Sequence, residues 1–251
     1  MKDFEIQTFI DDRDKMEYQA IKVNKLLIMS QNLACTTFRN GDPIPVAKDP
    51  LHWENAGRLS KAMMCHYAYD SSLNSISGSF FNGNALRDPR GVAPENWRIP
   101  SVSDISYIIE HMLKANRELS NSISVHYFDG MSYETLDEDQ SSRYGRKTGL
   151  GKVLGATLNC SEIGLKEEFP AVEWNENVNI HQNPFHFSAL PVGYCDNRGI
   201  FHEFGISSVW VTESNNGEYN PYRIRANKLG LSFYSFTEPE FGFTVRCVRD
   251  I

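Results

Sequence analysis

The sequence predicts an α+β domain in which short strands open and close the chain around a helical middle. Three observations predict it. Residues 4–10 (Phe-Glu-Ile-Gln-Thr-Phe-Ile) alternate apolar and polar, the period of a half-buried strand. Ile105, Ile108, Ile109, Met112 and Leu113 recur at i, i+3, i+4, i+7 and i+8, the stripe of an amphipathic helix. Near the C-terminus the apolar runs 187–194 and 242–248, with Trp210 between them, return the chain to strand-like sequence.

Taken in order, the alternating run ends at Asp11-Asp12-Arg13-Asp14, a turn. Tyr18 to Val23 and Leu26 to Met29 follow as two strands around Asn24-Lys25, the tip of a hairpin. Asn40-Gly41-Asp42-Pro43-Ile44-Pro45 is irregular, because two prolines remove donors and fix φ. Residues 51–69 (Leu51, Trp53, Ala56, Leu59, Met63, Met64, Tyr67) show a loose helical spacing, and a helix is expected there. The 101–116 helix starts at Ser101-Val-Ser-Asp104, with capping-box spacing and Ser103 as a rival cap. Residues 129–152 are polar and Gly-rich. Their Gly145-Arg-Lys-Thr-Gly149-Leu-Gly151-Lys152 lacks both the spacing and the preceding strand of a phosphate loop. Strands and long loops are expected from there on. With no linker tract and no repeat, residues 1–251 read as one domain.

Composition narrows the function classes. The 251 residues carry 41% hydrophobic and 12% aromatic side chains, enough for a sizeable core. A net charge of −7 and a pI near 5.5 argue against nucleic acid, which requires clustered Lys and Arg. Arg143, Arg146, Lys147 and Lys152 read as a solvated loop. Met1-Lys-Asp-Phe-Glu-Ile-Gln7 is too acidic for a signal peptide. No stretch reaches the ~18 apolar residues of a membrane helix. Synthesis in the cytoplasm without membrane insertion is therefore expected. Five widely spaced cysteines (Cys35, Cys65, Cys160, Cys195, Cys247) contain no Cys-x-x-Cys, so reduced, buried thiols are expected rather than zinc.

The C-terminal pieces form an ordered set: Phe187-Ser-Ala-Leu-Pro-Val-Gly-Tyr194, Trp210, and Gly242-Phe-Thr-Val-Arg-Cys-Val-Arg-Asp250. Together they resemble the signature of the Fibrobacter succinogenes major paralogous domain. Earlier segments are similar to the same family in the right order. Lys25 to Leu33 resembles its W-x-x-x-N-L segment, with Leu27 in place of Trp, and Asn40 to Pro45 resembles its DG-x-P-I-P turn. Trp53 also matches. Trp97-Arg-Ile-Pro-Ser101 with Asp104 resembles the approach to the family's central helix, and Gly151-Lys-Val-Leu154 the stretch leaving it. The resemblance implies a C-type-lectin-like fold related to formylglycine-generating enzymes: a twisted antiparallel sheet flanked by the 101–116 and 51–69 helices. It also implies a bridge from Cys247 to a cysteine just before Trp97. That cysteine is absent, and Asn96 stands where Gly is usual.

Candidate chemistry is thin. Glu238-Pro239-Glu240 and Trp174-Asn-Glu-Asn177 are near misses to lectin calcium motifs and read as turns. Cys195 and Cys247 are the pair a copper-dependent oxidase would use, and core thiols are the simpler reading. His181, His186 and His202 beside Glu203 lack a metal spacing, and no cofactor is expected. The stretch 213–235 stands out by its Asn, Tyr, Ser and Arg content, the composition of binding loops. It supplies the expected ligand contacts: Asn215, Asn216, Tyr219, Asn220, Tyr222, Arg223, Arg225 and Tyr234. The competing reading is a solvated loop with turn residues. The resulting expectation is a non-enzymatic module, carried on a phage virion, that binds a cell-surface glycan or protein. A structural capsid or tail decoration protein, and an oxidase related to formylglycine-generating enzymes, are the alternatives. A homo-oligomer such as a trimer, or a virion neighbour, completes the expected partners.

Overall fold

The computed structural model describes residues 4–115, 187–204, 207–212, 222–227, 230–235 and 238–251. Strands β1 (Ile6–Ile10), β2 (Glu17–Val23) and β3 (Leu26–Met29) run antiparallel. The β1–β2 turn closes with Lys15 N donating to Asp11 O at 2.8 Å, and Lys15 has φ 61°. Asn24 at the second tip has φ 55°, a left-handed conformation Asn tolerates. Alternation in β1 holds with its faces reversed. Gln7 and Phe9 turn inward, whereas Ile6 and Ile10 are 41% and 59% exposed. The Phe9 ring decides this by stacking on Trp97 at 4.3 Å and on Tyr18 at 5.5 Å.

Helix α1 (Pro50–Arg58) is much shorter than the expected 51–69. Asp49 caps it by accepting from His52 N at 2.7 Å, and Pro50 fills the first turn where no N–H is missed. It stops at Leu59, and Ser60 turns left-handed at φ 52°. Leu51 and Leu59, which completed the helical spacing, are 66% and 63% exposed. Met64 belongs instead to strand β4 (Met64–Cys65), and Tyr67 to a short 3₁₀ turn. Three different elements superpose their apolar residues into one apparent stripe.

Short helix α2 (Asn74–Ser77), strand β5 (Phe80–Asn82) and short helix α3 (Gly83–Leu86) follow. Asn82 Oδ1 caps α3 from Ala85 N at 2.8 Å. Helix α4 (Val102–Ala115) bears out the expected helix over its described length. Ser101 Oγ accepts from Asp104 N at 3.1 Å, and Asp104 Oδ2 accepts from Ser101 N at 2.7 Å. This reciprocal box makes Ser101 the cap rather than Ser103.

The C-terminal part contributes β6 (Tyr194–Cys195), β7 (Phe201–His202), β8 (Ser207–Thr212), β9 (Tyr222–Asn227), β10 (Gly230–Ser235), β11 (Gly242–Phe243) and β12 (Val248–Asp250). The apolar run at 187–193 precedes β6 as mostly irregular chain instead of a continuous strand. The closing run splits between two sheets. β12 pairs with β3 in the order β1-β2-β3-β12, while β11 sits centrally in β4-β5-β11-β6-β7. A third sheet runs β10-β9-β8. The strands of all three sheets pair antiparallel and helices are few, so the architecture is α+β.

The N-terminal sheet is buried on both faces at β3, while β1 keeps one face exposed. Tyr18, Ala20, Leu27 and Met29 enter the main core with Phe38, Phe81, Val209 and Phe243. Ile21, Ile28 and Val248 are buried on the opposite face, and α4 packs against β2 with Ile105 and Ile108 buried. A second core cluster gathers Trp53, Cys65, Tyr67, Phe80, Val192 and Cys195. Among the described residues no helix is long and apolar enough to cross a membrane.

Candidate recognition site

The eight expected contact residues divide. Asn215, Asn216, Tyr219 and Asn220 lie outside the described residues. Tyr222, Arg223 and Arg225 stand on β9 and Tyr234 on β10. The stretch 222–235 is therefore a β-hairpin, a correction to the reading of 213–235 as one loop. The signal was present, since Tyr-Arg-Ile-Arg-Ala-Asn and Leu-Ser-Phe-Tyr-Ser alternate with period two. The register sets Arg223 against Tyr234, Arg225 against Ser232, and Tyr222 against Ser235. Positions 223, 225 and 234 thus share one face of the ribbon, and position 222 falls on the other.

The hairpin pairs through β9 onto β8, a strand with both faces buried: Ser208, Val209, Trp210, Val211 and Thr212 are all in the interior. Thr244 Oγ1 donates to Val209 O at 2.8 Å, Val211 N donates to Thr244 O at 3.3 Å, and Ser208 Oγ donates to Leu190 O.

A buried polar hub fixes β8 further. Asn32 Oδ1 accepts from Trp210 Nε1 at 3.0 Å and from Arg246 Nε at 2.9 Å, while Asn32 Nδ2 donates to Ser77 O at 2.8 Å. Arg246, 2% exposed, also donates to Phe187 O and, at 2.7 Å, to Ser188 O. Its guanidinium carbon lies 4.8 Å from the Phe187 ring centre and 5.1 Å from that of Trp210. Burial pulls its pKa down to about 9, so the group still carries its charge at neutral pH. Oxygen dipoles and ring faces meet that charge here. Gly78 leaves room for Asn32, since a Cβ there would fall 2.4 Å from Asn32 Cβ. Sequence reasoning had these residues only as motif letters, because a lone Asn between Gln31 and Leu33 carries no periodic sign of burial.

The remaining candidates resolve into structure. Glu238-Pro239-Glu240 is a turn lying on α3 and α1: Gly83 N donates to Pro239 O at 2.8 Å, and a Cβ at Gly57 would meet the Glu240 side chain at 3.0 Å. Trp174 to Asn177, His181 and His186 lie outside the described residues. His202 Nε2 lies 3.0 Å from Asp196 Oδ2. Burial would raise the Asp196 pKa, yet hydrogen bonds from His202, Ile200 and Arg198 hold it below the usual carboxylate range. Among the described residues no group of three or more His, Cys, Asp or Glu is placed to hold a metal. Cys35, Cys65, Cys195 and Cys247 are free and buried. Cys195 shares the second cluster with Cys65, whereas Cys247 lies in the main core with Cys35.

No curated protein and no solved structure matches the chain. The family model described as the Fibrobacter succinogenes major domain matches residues 21–249, from β2 to β12, a span that includes Asn32, Trp210 and Arg246. The chain belongs to the Fibrobacter succinogenes major domain family.

Proposed function

We propose that this chain is a non-enzymatic recognition module with a C-type-lectin-like fold, whose ligand is a glycan or protein on a cell surface. The contact surface is the stretch 213–235: Asn215, Asn216, Tyr219 and Asn220 before the β9–β10 hairpin, and Tyr222, Arg223, Arg225 and Tyr234 upon it. One observation carries the reading. The sequence richest in Tyr, Asn and Arg leaves and extends a strand that is buried on both faces and held by the Asn32–Trp210–Arg246 hub. A rigid base lowers the entropic cost of ordering contact residues on binding. The oxidase alternative pairs Cys195 with Cys247, which sit in separate core clusters. The test is to probe glycan and cell-surface-protein arrays with the purified chain. Reproducible binding to a defined subset supports the module, and an array without signal contradicts it.

A second reading has its own support. Among the described residues β10 (Gly-Leu-Ser-Phe-Tyr-Ser) is the outermost strand of its sheet, and it contains no Lys, Pro or other residue that commonly blunts an edge. In a virion decoration protein that edge would pair with a neighbouring subunit. Light scattering of the reduced chain separates the two: a stable trimer favours the neighbour, and a monomer favours the free recognition surface.

A further inference from the structure

Strand β1 ends its sheet with an edge whose pattern matches itself. Among the described residues it is outermost in the order β1-β2-β3-β12. Lys22 N donates to Glu5 O at 2.8 Å and Asp11 N to Met16 O at 2.9 Å, both continuing the register that sets Ile6 against Ile21 and Ile10 against Glu17. The hydrogen-bonded pairs with β2 are therefore those of the odd-numbered residues. Ile6, Thr8 and Ile10 point their N–H and C=O groups the other way, to the open edge. Their side chains share one face, where Thr8 is exposed and Ile6 and Ile10 are 41% and 59% exposed. Exposed edges are commonly blunted by Lys, Pro or a bulge, and β1 contains none of these. The strand at the other end of the sheet differs. β12 is Val248-Arg249-Asp250, with two charged residues of three, and Val248 is bridged to Arg98.

We propose that β1 is a dimerisation edge and that its occupant is β1 of a second copy of this chain. The run Ile-Gln-Thr-Phe-Ile places an isoleucine two residues on either side of Thr8. An antiparallel, two-fold pairing about Thr8 sets Ile6 against the partner's Ile10, Thr8 against the partner's Thr8, and Ile10 against the partner's Ile6. All three positions face the open edge, so each pair exchanges two backbone hydrogen bonds and the join makes about six. Isoleucines that the single chain leaves in water then pack against each other across the join. A strand of another protein would have to carry the same apolar spacing, whereas a second copy carries it already. Glu5 falls opposite the partner's Asp11, but each carboxylate holds its own cation, Lys22 at 3.0 Å and Arg13 at 2.6 Å. So short an edge buries a small area, which makes the association concentration-dependent rather than obligate. β1 precedes the matched span 21–249, and the β9–β10 hairpin lies in a different sheet. The dimer therefore rests on neither the family nor the recognition reading.

The test is sedimentation equilibrium of the reduced full chain from about 10 µM to about 1 mM, the range in which a small interface dissociates. The mass should climb with concentration from 28.6 kDa toward twice that value. T8P removes the outward N–H at the centre of the join, a group the β1–β2 pairing does not use. It should weaken the dimer at least about tenfold while keeping the circular dichroism of wild type. I6K/I10K replaces both exposed isoleucines with charges that blunt an edge and should weaken it likewise, which keeps the test decisive if T8P fails to fold. L59K, at an exposed residue ending α1, should dimerise as wild type does. A chain still monomeric at the highest concentration, a trimer, a dimer that persists in either folded β1 variant, or its loss in L59K overturns the proposal.

Discussion

Asn32 illustrates how much one side chain can carry. Its amide accepts from two buried donors and donates to a third buried group, so truncation leaves Trp210 Nε1, Arg246 Nε and Ser77 O unpaired together. Each orphaned group costs about 1–3 kcal/mol, and the Arg246 charge makes its share the largest. N32A should therefore lose about 3–5 kcal/mol of unfolding free energy in urea titration. A loss under about 1 kcal/mol would mean that water replaces the amide. Asp104 gives a pH signature. Burial works to raise its pKa, but hydrogen bonds from Arg98 and Ser101 outweigh that and hold it below the usual carboxylate range. The folded chain then binds fewer protons than the unfolded chain at this site. The contribution is complete above the unfolded carboxylate range near pH ~4 and fades as pH falls through the folded value. Urea midpoints of wild type and D104N should differ at pH 7, and the gap should narrow progressively as pH falls below ~4. A gap that does not change with pH contradicts the assignment.

Elements were legible in proportion to how local their cause is. The β2–β3 hairpin and the start of α4 could be read because a tip residue, a cap and an unbroken stripe all lie within a few positions. The 51–69 stretch misleads because exposed Leu51 and Leu59 fall into phase with Met63, which lies between elements, and with Met64 and Tyr67, which belong to other elements. In β1 the inward face was set by Trp97, which no window around residues 4–10 contains. The closing run read as one strand because nothing in its sequence marks the crossing between sheets. There Thr244 to Cys247 carry Arg246 into the interior. Gly242 is the corresponding tight point on β11, with the Trp53 ring and Cys195 closing over it. G242A should cost about 1–3 kcal/mol through overpacking, read as a fall in Tm. Wild-type stability in G242A would show that the cluster has room to yield.

At the scale of the whole molecule, β3 and β12 pair the beginning of the chain with its end, and the hub joins residues 32, 187, 210 and 246. The frame is thus closed through contacts far apart in sequence, and the 213–235 stretch falls between Trp210 and Arg246 of the hub in the sequence. The family could be read from its ordered motifs because those motif residues build the closure. The proposed contact surface is legible only from composition, which does not reveal the β9–β10 hairpin within it. If that stretch serves recognition, it can change without weakening the frame. The decisive measurement compares wild type with the Y219A/Y222A/R225A triple variant on the array probes that wild type binds, with Tm recorded for both. The account predicts at least a tenfold loss of affinity with Tm unchanged within about 2 °C, since loss of contact side chains at a binding surface commonly costs more than about 1.4 kcal/mol. Affinity equal to wild type in a folded triple variant would contradict it.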